Sequence, residues 1–111
     1  FADDLASGIK HLLMHSPTSN PQSPTASYGT YNLTNDGDVV SWADIAKLVY
    51  GAAGKPAEDV TGVTTAEYYA GKEDIAPRPL QSEMDLSKIK STGFSPRDWR
   101  DALDEYLEMN I

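Results

Sequence analysis

The chain of 111 residues contains no cysteine, which removes disulfide frameworks, zinc–thiolate sites and thiol nucleophiles together and fits a reducing compartment. No run of about 18 apolar residues is present, so no membrane-spanning helix is expected. No secretory leader opens the sequence, and a cytoplasmic protein is the expectation. Basic residues are scarce: 9 Lys and Arg stand against 17 Asp and Glu, a formal charge of -8. They form no cluster, which disfavours a nucleic-acid partner and leaves the acidity to serve solubility. What remains is one domain's worth of chain with enough apolar residues for a modest core.

The order of elements follows from spacing and punctuation. Leu5, Ile9, Leu12 and Leu13 form the stripe of a helix over residues 3–14 laid on a core, with Asp3 and Asp4 at its positive end. "SPTSNPQSPTASYG" (16–29) reads as an irregular loop, "TYNLT" (30–34) as a short strand and "NDGD" (35–38) as a turn. "SWADIAKLVYGAAG" predicts a helix capped by Ser41 with Asp44 in a capping-box variant, ended at Gly54, with Trp42, Ile45, Leu48 and Val49 buried. A second strand is predicted in "EDVTGV" (58–63), a short helix in "TTAEYYAG" (64–71) with a Thr64/Glu67 capping box, and another in "DLSKIKSTG" (85–93), capped by Asp85 and stopped by Gly93. Ser95 and Pro96 suit the first positions of a last helix, whose stripe is Trp99, Ala102, Leu103, Tyr106 and Leu107. Two strands this short do not make an independent sheet and would more naturally extend one supplied by sequence outside the chain. The amphipathic pattern is already under way at Phe1, so a piece of a longer polypeptide is expected.

Four constellations invite chemistry. His11 and His15 stand at i and i+4, the spacing of a metal pair, but no third ligand is evident and solvated surface histidines explain them better. "NLT" at 32–34 is a chance sequon, and "NDGD" fails the spacing of a calcium loop. Tyr68 and Lys72 stand one helical turn apart, as a proton-donating Tyr and its Lys do in short-chain dehydrogenases, but Gly71 interrupts the helix and no glycine-rich strand–turn–helix precedes them. In "APRPLQSEMD", Pro77 and Pro79 hold Ala76 and Arg78 extended, so a guanidinium projects from a stiff segment. That arrangement suits bidentate recognition of phosphate or carboxylate; an Arg paired with a local acid to fasten the loop is the alternative.

"FADDLASGI", "GTYNLTNDGDVVSWADIAKLVYGAAG" and "APRPLQSEMDLSKIKSTGFSPRDWRDALDEYL" together resemble the C-terminal portion of dTDP-4-dehydrorhamnose reductases, extended short-chain dehydrogenases/reductases. The family usually has Leu before the Asp of the "RP..S.MD..K" run, where this chain has Met84. The resemblance implies an α/β parent fold, of which residues 1–111 would be a mainly helical nucleotide-sugar-binding lobe with two or three short strands, the Rossmann domain being absent. The implied reaction of the parent is reduction of dTDP-4-dehydro-L-rhamnose to dTDP-L-rhamnose with NADPH. This chain lacks the glycine-rich pyrophosphate turn and the catalytic Ser/Thr with Tyr-x-x-x-Lys, so it is expected to bind no NADPH and to be inactive alone. Its partners would be the dTDP-sugar and the missing Rossmann domain. Arg78 matches the family's RP arginine and is the implied diphosphate contact; Ser82 and Asp85 are further substrate-binding candidates, with helix capping as the rival role of Asp85. A related epimerase or dehydratase lobe, or a non-catalytic regulatory subunit of the same superfamily, would share much of this pattern.

Overall fold

The structure is a computed structural model that describes residues 1–111. The chain divides into two compact units, one of residues 1–38 and 84–108, the other of residues 39–83 and 109–111. Its elements are α1 (Ala2–Met14), α2 (Trp42–Ala52), a 3₁₀ turn (Ala57–Asp59), α3 (Thr65–Tyr69), α4 (Ser87–Lys90) and α5 (Trp99–Asn110). No helix is long and apolar enough to cross a membrane.

In the first unit the core is small and gathers around α4 and α5. Ile89 is wholly buried, and Ala26, Leu86, Thr92, Ala102 and Leu107 are buried with it. The α5 stripe is therefore largely the one its periodicity specifies, although Tyr106 is half exposed. The stripe of α1 is not. Leu5 and Ile9 are each 48% exposed and Leu13 63%, while Gly8 is buried and Asp4, His11, Leu12 and His15 are half-buried. Two features turn the helix this way. A Cβ on Gly8 would come within 2.6 Å of Leu33 Cδ2, so the missing side chain admits Leu33, and the polar residues of that face find hydrogen-bond partners inside the unit.

The predicted strand at 30–34 keeps the burial pattern of a strand without becoming one. Tyr31, Leu33 and Asn35 are half-buried and Asn32 and Thr34 exposed, but the only pairing is an isolated parallel bridge between Asp36 and Asp98. Asp36 N–H donates to the Arg97 carbonyl at 2.9 Å and Trp99 N–H to the Asp36 carbonyl at 2.9 Å. The bridge keeps residues 94–98 out of helical conformation, so α5 begins at Trp99 rather than after Ser95, with Asp98 Oδ1 accepting from Arg100 N–H at 2.8 Å. The second predicted strand, 58–63, is a 3₁₀ turn followed by unpaired extended chain. The expected two or three strands thus reduce to one bridge in a mainly helical chain, because an extended segment without a partner strand has no ladder to join.

The second unit is held by helix ends. Ser41 Oγ accepts from Asp44 N–H at 3.2 Å and Asp44 Oδ2 accepts from Ser41 N–H at 2.9 Å, the reciprocal cap its sequence specifies. At the other end of α2, Gly54 at φ +69 donates to the Gly51 carbonyl and Lys55 N–H to that of Tyr50, a Schellman exit. Thr64 and Glu67 cap α3 in the same reciprocal way. No residue of 39–83 is fully buried. The expected α2 stripe is accordingly not a core face: Trp42 is 84% exposed and Leu48 48%. The contrast gives a direct test by chemical denaturation. Ile89→Ala should lose about 2–5 kcal/mol, whereas Trp42→Ala should stay within about 0.5 kcal/mol of the parent chain.

Candidate functional site

The segment that follows α3 carries two of the candidate ligand contacts. Its backbone leaves the helix through Gly71 at φ +74 and turns again at Asp74, the one non-glycine residue at positive φ (+56). Pro77 and Pro79 then remove two main-chain donors and fix their own φ, which leaves Arg78 extended between them. Arg78 is exposed and makes no hydrogen bond or ion pair. The other two arginines are committed, Arg97 to Asp4 and Glu105 and Arg100 to Asp38. No acid fastens the loop through Arg78. Ser82, on the same segment, is also exposed and unpartnered. Asp85 belongs to the first unit, where Oδ1 accepts from Ser87 N–H at 2.8 Å. Hydrogen bonding from the side chain and then the main chain of Ser87 holds its carboxyl below the usual range. The N-cap position of α4 is Leu86 and carries no side-chain cap, so Asp85 acts as a local turn acceptor one residue ahead of it rather than as the predicted cap.

The first unit contains a cleft of about 260 Å³ with an apolar wall that includes Phe1, Leu33 and Phe94 and a polar wall of Asp4, Asn35 and Arg97. Asp4 Oδ2 accepts from Asn35 Nδ2 at 2.7 Å and from Arg97 NH2 at 3.1 Å. Arg97 NH1 pairs with Glu105, and the guanidinium lies 5.2 Å from the Phe1 ring centroid. Burial pushes the Asp4 carboxyl up, but the hydrogen bonds from Asn35 and Arg97 and the Arg97 charge outweigh it and hold the group below its ordinary value. Glu105 and then Asp4 raise Arg97 correspondingly. The Arg97 charge is paired within the wall by Asp4 and Glu105. Sequence reasoning missed this network, since Asp4 and Arg97 are 93 residues apart and no local pattern joins them.

The histidine pair needs correction: both rings are half-buried and hydrogen-bonded rather than free surface side chains. His11 Nε2 lies 3.0 Å from both the carbonyl and the Oγ1 of Thr92. Because the Thr92 hydroxyl donates to the Ile89 carbonyl at 2.6 Å, Nε2 is the donor to Thr92. His15 Nδ1 donates to the His11 carbonyl at 2.8 Å, and the rings stack with centroids 4.1 Å apart. No group of three metal-capable side chains occurs. The Tyr68/Lys72 pair has the wrong geometry for proton transfer: Nζ lies 3.9 Å from the ring centroid and so addresses the ring rather than the hydroxyl, and α3 has ended at Tyr69. Gly54, Gly71 and Gly93, all at positive φ, follow helix ends.

Residues 1–110 match the family model described as RmlD substrate binding domain. The spore coat polysaccharide biosynthesis protein SpsK of Bacillus subtilis (strain 168) is 32% identical over 108 residues, which cover 97% of this chain and 32% of that relative. The chain spans about a third of the length of the curated relative it matches. No solved structure matches it.

The Asp4 geometry sets a pH dependence. A carboxyl held below its unfolded value contributes stability that is fully present above about pH 4 and is lost as pH falls through the lowered value. Urea midpoints of the parent chain and Asp4→Asn should therefore differ at pH 7 and converge below about pH 4. Equal midpoints at pH 7 would show that the Asp4–Arg97 contact contributes nothing.

Proposed function

The chain belongs to the RmlD substrate binding domain family, and on that premise we propose that it is the nucleotide-sugar-binding portion of a dTDP-4-dehydrorhamnose reductase. The full protein would reduce dTDP-4-dehydro-L-rhamnose to dTDP-L-rhamnose with NADPH. The observation that carries the reading is Arg78, an arginine bracketed by prolines, exposed, and free of every acid in the chain.

In this reading Arg78 binds the diphosphate. Its planar fork offers paired N–H donors to two oxygens at once, which a lysine cannot do. Ser82 supplies a hydroxyl to the nucleotide from the same segment, and Asp85 accepts from a substrate hydroxyl. These residues bind and orient. None moves the proton or the hydride, and the dinucleotide belongs to a part of the protein outside these residues.

Two outcomes follow. In the full-length enzyme, Arg78→Ala should lower kcat/KM for the dTDP-sugar about 10- to 150-fold, the loss expected for one charge-assisted contact, and Arg78→Lys should recover part of it. The KM for NADPH should not move. A folded Arg78→Ala enzyme with unchanged sugar kinetics sinks the assignment. The isolated chain should show no NADPH binding by fluorescence titration; affinity at about the micromolar level would overturn its placement outside the dinucleotide site.

A further inference from the structure

From residue 73 to residue 83 the chain makes no hydrogen bond of any kind, main chain or side chain, and no ion pair or ring contact. Every residue of the stretch is exposed, Leu80 to 85% and Ile75 to 42%. The longer irregular segment of the chain is, by contrast, tied down. The 16–29 loop is fastened by Thr25 and Ala26 N–H groups on the His15 carbonyl and by Asn20 Nδ2 on the carbonyl of Ser23. The stretch is entered through two residues at positive φ, Gly71 and Asp74, positions at which a chain changes direction without helical or strand constraint. Its middle is the opposite: Pro77 and Pro79 limit the backbone around Arg78.

Within these residues the segment thus combines an untethered backbone, a stiff centre and a guanidinium without a counter-charge. We propose that residues 73–83 are a strap that docks only when a diphosphate-bearing nucleotide pairs with Arg78, and this rests on the function proposed above. Pro77 and Pro79 remove part of the backbone freedom that docking would otherwise have to take from the residues beside Arg78, so one bidentate contact immobilises more chain there than it could on a glycine-rich loop. Leu80 and Ile75, both apolar and exposed, are the residues that docking would cover.

The test is hydrogen–deuterium exchange on the full-length protein with dTDP-L-rhamnose as probe. In the free protein, peptides covering 73–83 should exchange at the rate of an unstructured peptide. With saturating nucleotide-sugar they should slow by about tenfold or more, and in Arg78→Ala at saturation they should remain fast. Slow exchange already in the free protein, or fast exchange in the saturated parent, overturns the strap. Calorimetric titration of the same samples separates the two claims. Absence of any binding of the nucleotide-sugar retires the proposed function together with the strap. Binding that Arg78→Ala weakens, without slowed exchange at 73–83, retires the strap alone.

Discussion

The first unit depends on a single guanidinium. Arg97 holds Asp4 on α1 with one edge and Glu105 on α5 with the other, while its own carbonyl accepts from the Asp36 N–H beside Asn35. Three stretches of chain far apart in sequence are thereby fixed at one residue. Other features follow from it. The bridge at Asp36 and Asp98 draws the backbone of 97–99 alongside the 30–36 segment, which delays the start of α5 to Trp99. Gly37, at φ +115, must be glycine there, since a Cβ would come within 2.7 Å of Asp98 Oδ2 and 2.9 Å of Trp99 Cδ1. The second unit has no comparable node and no buried residue. Its order comes from caps worth about 1 kcal/mol each, which places the chain's adaptable surface there.

What could be read from sequence divides along the same line. The caps at Ser41/Asp44 and Thr64/Glu67 and the glycine exit at Gly54 were legible because each is closed by residues within a few positions of one another. The faces of the helices were not. A stripe such as Leu5, Ile9 and Leu13 specifies that a face is apolar, but not what covers it, and the 111 residues contain no cover for that face or for Trp42 and Leu48 on α2. Residues 30–34 repeat the lesson for strands: side-chain alternation was correct, and the ladder was missing because a ladder is a property of two segments. The Arg97 network was invisible for the same reason. At the candidate site, sequence singled out Arg78 through its prolines but left open whether an acid would claim it, a question that only tertiary structure answers.

The charge balance constrains how such a site could work. A chain of net charge -8 does not draw an anionic ligand towards itself, and Glu73, Asp74 and Glu83 stand on the very segment that carries Arg78. Electrostatic steering, which raises association rates where a surface is uniformly of opposite sign, is therefore not available to this segment. Recognition must come instead from geometry and preorganisation, from a planar fork whose backbone is limited before the ligand arrives. Glu73, Asp74 and Glu83 stand within five residues of Arg78 in sequence, so in the proposed role two parallel N–H···O bonds to a phosphate would hold an anion there better than a single contact.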